Sequence, residues 1–273
     1  MKTIFFIIVS LLSSVLYAEE ALPPELKDVG IEEHLGQKIP LDLIFQDDAG
    51  KSVRLADYFN KGKPVLINFA YFRCPMLCNM VLKGMLDGMK NLTWTPGKEY
   101  EVLTISIDPR ETAELAAAKK KTHVDELNML GSEKGWHFLT GKEENIQALT
   151  KIIGFGYKYN KASDDYAHAA GIFTLTPDGK ISRYLYGIDY KGRDLKLALL
   201  DASDGKSLSL GEKLVMLCYR YDADARSYVL FARNMMRGAG VLVVLFLLFF
   251  LGGFWLKEFR RKKNISEKLK FSN

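Results

Sequence analysis

The nine residues Pro64–Phe72, PVLINFAYF, carry one polar side chain, Asn68, and end two positions before a cysteine. A short, almost wholly apolar run of this kind reads as a strand buried on both faces, and such a strand needs helices covering each side of a largely parallel sheet. The downstream pattern supplies them. Met76–Lys90 is helical in composition, Tyr100–Ile107 is a second apolar strand, and Thr112–Asn128 is an Ala- and Lys-rich helix. Trp136–Thr140 then reads as a strand and Glu143–Ile153 as a helix. Ala170–Thr176 and Lys180–Tyr186 flank Pro177-Asp178-Gly179, a strong hairpin turn, and Leu195–Asp201 closes the domain as a helix. Upstream, Leu41–Phe45 and Ser52–Leu55 read as a hairpin, preceded by a polar leader over residues 19–40. The expected class is α/β, a thioredoxin-like sandwich over residues 41–204 with an N-terminal extension and hairpin.

The chemistry concentrates where the first buried strand ends, at Tyr71–Asn79, YFRCPMLCN. Pro75 suits the first position of a helix, which places Cys74 and Cys78 at its start. Four-residue spacing sets both sulfurs on one face, one turn apart. The positive end of the helix favours thiolate there. Two soft sulfurs suit Cu(I) or a reversible disulfide. A redox dithiol more often has two intervening residues than three, so the spacing favours metal. Copper then calls for a third donor, normally imidazole. Of the four histidines, His34 in the leader and His123 in the Lys-rich helix read as exposed, and His137 within WHFLTG reads as a core residue. His168 follows Asp164, Asp165 and Tyr166 in a loop before a core strand, where this fold returns the chain to the cysteine helix. Met76, Met80, Met85 and Met89 share the cysteine helix. Thioethers could guide Cu(I), but core packing is the plainer role. Asp108 orients a nearby loop or caps the following helix.

The ends of the chain suggest export. Residues 1–18, MKTIFFIIVSLLSSVLYA, have the form of a secretory signal peptide, or of an uncleaved N-terminal anchor. Ala239–Leu256 runs for 18 residues without a charge and is followed by Lys257 and the Arg260–Lys263 cluster, a stop-transfer pattern. The expectation is a transmembrane helix over 239–256 after a juxtamembrane segment 205–238, with a basic tail over 257–273. In a bacterium this gives a single-pass protein of the inner (cytoplasmic) membrane, its globular domain in the periplasm and its C-terminus cytoplasmic. The net charge of +5 is local to that tail, which holds seven of the 38 Lys and Arg residues. The remainder is near neutral, which argues against a nucleic-acid surface. Three cysteines do not make a paired framework, so at least one thiol is kept for chemistry, metal or intermolecular pairing. Cys218 is a structural or a partner-docking thiol.

Taken together, YFRCPMLC, ISIDPRET at Ile105–Thr112 and DYAHAAGIFTLTPDGKISRYLYG at Asp165–Gly187 resemble the Sco/SenC family in order and spacing, across about residues 30–200. These are copper-binding thioredoxin-like proteins that help build the CuA centre of cytochrome c oxidase. The resemblance implies that Cys74, Cys78 and His168 hold one copper ion, Cu(I) or Cu(II). It implies a metallochaperone whose partner is oxidase subunit II, together with a copper donor or a thioredoxin-like reductant. The enzymatic alternative is a thiol–disulfide oxidoreductase that keeps the oxidase cysteines reduced, with Cys74 and Cys78 as its catalytic pair. Asn79 stands where the familiar motif has proline, and familiar members carry their membrane anchor at the N-terminus.

Overall fold

The computed structural model describes residues 29–74, 76–203, 219–222, 227–230, 239–255 and 257. The expected signal peptide, Pro75, Cys218 and the basic tail beyond Lys257 lie outside the described residues. In chain order the elements are β1 (Gly30–Ile31), β2 (Ile44–Gln46), β3 (Ser52–Arg54), β4 (Val65–Ala70), α1 (Leu77–Lys90), β5 (Glu101–Ser106) and α2 (Ala113–Leu127). They continue with β6 (Trp136–Gly141), α3 (Glu143–Ile153), β7 (Phe155–Asn160), β8 (Asp165–His168), β9 (Gly171–Leu175), β10 (Ile181–Tyr186) and α4 (Gly192–Ala202). β11 (Tyr219–Asp222) and β12 (Ser227–Leu230) pair antiparallel with each other.

Seven strands form the main sheet in the order β10-β9-β4-β5-β6-β2-β3. β4, β5 and β6 are parallel neighbours, joined through α1 and α2 as parallel strands require. β9 runs antiparallel to β4, and β2 antiparallel to β6. Every residue of β4, β5 and β9 is buried. Val65, Ile67 and Phe69 of β4 join one core with Leu103, Ile105, Phe173 and the α3 residues Ile146, Leu149 and Ile153. Leu66 points the other way, into a core with Val102, the α1 residues Leu86 and Met89, Ala116 of α2 and Leu195 of α4. The period-two alternation of β4 thus feeds both layers, and the thioredoxin-like α/β class holds.

The topology fixes where chemistry can sit. β4 and β5 end together, with Ala70 opposite Ser106, and β9 starts at that same end, with Ile172 opposite Asn68. The cysteine loop after β4, the Ile107–Thr112 segment after β5 and the residues just before β9 therefore converge beyond the carboxyl ends of the parallel strands. A second sheet, β1-β7-β8, stands beside them. It makes a β-hairpin of what reads from the sequence as a loop before His168. It also binds the leader, since Gly30 pairs with Gly156 and Ile31 with Phe155.

The C-terminal expectation is corrected. The described part of the apolar run, residues 239–255, is helical. No helix among the described residues is long and apolar enough to cross a membrane. The transmembrane helix over 239–256 is therefore overturned, and the single-pass inner-membrane placement falls with it, since it rested on that helix.

Candidate functional site

The chain leaves β4 through a tight turn in which the Cys74 amide donates to the Tyr71 carbonyl at 3.1 Å. The helix starts later than the sequence spacing suggests: Met76 is its N-cap and Leu77 its first residue, so Cys78 lies in the first turn of α1 while Cys74 stands before it. The helix N-terminus still acts on sulfur directly. The Cys78 amide, one of the unpaired donors of the first turn, points at Cys74 Sγ at 3.3 Å. The Tyr71 amide donates to Cys78 Sγ at 3.4 Å. Both thiols are free and buried.

These contacts divide the pair. The Cys74 thiol is lowered to about 5, chiefly because Cys78 donates a hydrogen bond to it; the Cys78 and Met76 amides add to the effect, and burial opposes it. Cys78 is pushed far up, first by that same contact with Cys74 and then by burial. The resting pair is thus a Cys74 thiolate held by a Cys78 thiol.

His168, the last residue of β8, completes the cluster. Its Nε2 lies 3.1 Å from Cys78 Sγ, and its Nδ1 lies 2.8 Å from the carbonyl oxygen of Ala169. A carbonyl only accepts, so the Nδ1 proton is committed to it. In the neutral ring this leaves the Nε2 lone pair facing sulfur, the arrangement that metal-binding histidines use. The Cys74, Cys78 and His168 residues are only 6%, 2% and 8% exposed. Tyr71 and Phe155 wall the imidazole, with ring centroids 6.3 and 5.8 Å from it. Among the described residues no three His, Cys, Asp or Glu side chains stand as a ready-made metal-ligand group. Cys78 carries one proton for two acceptors, the Cys74 thiolate and His168 Nε2, and that proton occupies the middle of the donor set.

Two further residues hold the site, and sequence reasoning passed over one of them. Glu111 is buried, and its carboxylate accepts from the Phe72 amide at 2.8 Å, the Arg73 amide at 2.8 Å and Ser106 Oγ at 2.6 Å. It ties the cysteine turn to the end of β5. Burial raises the Glu111 carboxyl above its usual range, the hydrogen bonds from Phe72, Ser106 and Arg73 offsetting this only in part. Its signal was its place in ISIDPRET, between a strand end and the helix cap Thr112. Asp108, expected to orient a loop or cap a helix, does the former. It is buried, which works against its charge, yet hydrogen bonds from the Arg110 side chain and amide bring its carboxyl below the usual range. Thr112 is the α2 cap, its Oγ1 accepting from the Leu115 amide at 3.5 Å.

The other histidines are sorted by their partners. His34 is half-buried, its Nδ1 2.9 Å from the Ile152 carbonyl, and His123 is buried against Trp136 and Phe138, so neither is the exposed residue expected. His137 is half-buried, 3.3 Å from Glu101. The methionines divide as well. Met85 and Met89 fill the core, whereas Met76 and Met80 are 69% and 42% exposed beside the cysteines.

A family model described as SCO1/SenC matches residues 35–195. A curated relative, the mitochondrial SCO2 homolog of Bos taurus, is 26% identical over 150 residues, covering 52% of this chain and 52% of the relative. The chain therefore spans about half the length of that relative. Among solved structures, a candidate electron transfer protein from Aquifex aeolicus VF5 is 26% identical with a TM-score of 0.56, over 63% of this chain and 96% of that one. BsSco is described as a member of the Sco family of cytochrome c oxidase assembly proteins, with a disulfide switch. It is 23% identical with a TM-score of 0.50, over 66% of this chain and 99% of that one. Copper-bound Sco proteins are also among the matched structures.

Proposed function

The chain belongs to the SCO1/SenC family, whose model matches more than half of it, and from that premise we propose that it is a copper-binding assembly factor for cytochrome c oxidase, serving the CuA site of subunit II. One observation carries the reading. The paired thiols meet a histidine whose Nδ1 is pinned to a backbone carbonyl, so that its Nε2 lone pair faces Cys78 at 3.1 Å. A disulfide exchanger has no use for that nitrogen; a site for a thiophilic ion does.

Cys74 and Cys78 supply the sulfur donors suited to Cu(I), and His168 the nitrogen that helps hold Cu(II). The Cys74 thiolate is the first donor available, because it is already deprotonated. Cys78 follows once its proton leaves, and His168 turns its lone pair from that proton to the ion. Three donors leave a position open, so an incoming thiolate or imidazole of subunit II can displace them one at a time.

Loading the reduced protein and titrating against a chromophoric Cu(I) chelator tests the assignment. One copper per chain is expected, lost in the Cys74→Ser, Cys78→Ser double variant. His168→Ala should retain Cu(I) capacity and lose the Cu(II) absorption and EPR signature. Stoichiometric binding that survives loss of both cysteines would defeat it.

The split between Cys74 and Cys78 favours a second reading, reduction of the oxidase cysteines. The Cys74 thiolate would attack a partner disulfide and release one partner thiolate. Cys78 would then resolve the mixed disulfide, giving a second partner thiol and a Cys74–Cys78 disulfide that an external dithiol must reset. That cycle fails in Cys78→Ala and tolerates His168→Ala, whereas copper transfer needs both.

A further inference from the structure

The segment between β5 and α2 grips both halves of the site by separate means. Glu111 takes the cysteine turn, as described. Asp108 and Arg110 take the histidine side. Arg110 Nε lies 2.8 and 3.1 Å from the two Asp108 carboxylate oxygens, and Nη2 lies 2.8 Å from one of them. Its remaining arm, Nη1, reaches across to Asp164 Oδ1 at 2.7 Å and to the Tyr159 hydroxyl at 3.3 Å. The guanidinium carbon sits 4.9 Å from the Tyr159 ring centroid, and the Tyr159 hydroxyl donates to Asp164 at 2.6 Å. Asp164 occupies the turn of the β7–β8 hairpin in a left-handed conformation, φ 52°.

That hairpin ends on the ligand candidate. Tyr159 pairs with Tyr166 and Tyr157 with His168, so the latch and the imidazole share one short ladder. Among the described residues β8 is the edge of its sheet, with β7 as its one ladder partner. Beyond that ladder, aromatic contacts such as Tyr71–Tyr166 at 5.4 Å hold it, together with the Arg110 bridge. An edge strand with one neighbour opens more readily than an interior one.

We propose that Arg110 is a positioning residue, and that the Asp108–Arg110–Asp164 bridge is a surface latch keeping the hairpin closed, so that His168 stays against Cys78. Opening the latch withdraws the imidazole and leaves the thiols in place, because Glu111 anchors them independently. The latch lies at the surface, Arg110 and Asp164 both being exposed, so a carboxylate of a docking partner can compete for the guanidinium and start release from the nitrogen side. What His168 is positioned for rests on the copper reading; the latch itself does not.

Arg110→Gln and Asp164→Asn each break the bridge without touching sulfur or imidazole, and Arg110→Lys keeps the charge without the fork. Amide exchange is measured by mass spectrometry on the reduced, copper-free full chain, and copper retention on the same proteins. In both charge-removing variants β8 exchange should rise about fivefold, the scale of one well-formed exposed ion pair. Cu(II) should leave about fivefold faster, and Cu(I) affinity should stay within about twofold, with Arg110→Lys between the extremes. Unchanged β8 exchange in both variants overturns the latch. So does an equal loss of Cu(I) and Cu(II), which would place the effect on the thiols. If the unaltered chain takes up no copper, the copper reading falls while the exchange result still decides the latch.

Discussion

Removing the Glu111 carboxylate isolates the link between β5 and the cysteine turn. In Glu111→Ala the buried Phe72 amide and Ser106 hydroxyl and the part-buried Arg73 amide lose their acceptor, which the carboxylate provides at 2.6–2.8 Å. Each buried donor left unpaired costs about 1–3 kcal/mol, and the buried Phe72 amide and Ser106 hydroxyl together about 4. Against that stands relief from burying a carboxylate, whose raised pKa shows that desolvation outweighs its hydrogen bonds. A net loss of about 3 kcal/mol follows, or about 6–12 °C in Tm for a domain of this size. The sign with pH is set by the same shift. The folded carboxyl holds its proton more tightly than the unfolded one, so its contribution is fullest below the ordinary carboxylate range and declines as pH rises through the raised value. The variant lacks that slope, so its deficit should be larger in mild acid than at neutral pH. Urea unfolding of the reduced protein at several pH values measures this, with alkylation of Cys74 as a report on the turn, which should quicken as the turn loosens. A variant within about 0.5 kcal/mol of the parent, with unchanged Cys74 reactivity, would refute the idea that Glu111 holds the turn.

Four other outcomes follow from particular residues. Cys74, at about 5, should alkylate at a rate that is flat above about pH 6 and falls on acidification; an inflection near that of a free thiol, about 8.5, would contradict the thiolate. Because the site starts as one thiolate and one thiol, copper uptake at neutral pH should release about one proton per ion, measured by calorimetry in buffers of different ionisation enthalpy; release of two would contradict it. Gly84 lies in α1 where a Cβ would come 1.9 Å from the Ile188 carbonyl oxygen, so Gly84→Ala should lose about 2 kcal/mol or more in urea unfolding, against alanine's roughly 1 kcal/mol helix advantage. His123 is buried with neither ring nitrogen hydrogen-bonded among the described residues, and burial, with help from Lys119, lowers its pKa. The unfolded ring takes up a proton that the folded ring resists, so stability is full above about pH 6.5 and falls below it; His123→Leu should flatten that decline between about pH 7 and pH 5, and an unchanged slope would exclude His123 as its source.

The elements legible in the sequence were those whose side chains repeat with a period. β4 announced itself because all its residues are buried, and α3 matched its expected span, Glu143–Ile153, because Ile146, Leu149 and Ile153 recur on one face. The β7–β8 hairpin escaped because most of its residues are half-buried or exposed. Lys158, Asn160 and the polar turn after them look like any surface loop, and only pairing reveals the strands. His123 was misread for a related reason. The lysines around it mark α2 as a surface helix, while small Ala116 and Leu127 carry the buried face that also takes in the imidazole. At the site, the cysteine spacing was plain, but Glu111 was not. A buried carboxylate whose partners are backbone amides leaves no pattern in the side chains.

The two readings of the thiol pair differ in what they ask of the protein around it. A resting disulfide needs two sulfurs free to approach and little else. Here the Cys78 sulfur is engaged on three sides, by the Tyr71 amide, by Cys74 and by His168. Anchors outside the pair hold each side: Glu111 holds the turn before Cys74, and Arg110 holds the hairpin that ends at His168. Independent anchoring of two ligand-bearing segments has a purpose when an ion must be gripped between them and then let go by moving one. The Glu111 bonds that hold the turn before Cys74 share no atom with the contacts of the His168 nitrogens. On the copper reading, the nitrogen donor leaves first while the ion stays on sulfur, the order a hand-over to a thiol-bearing partner requires.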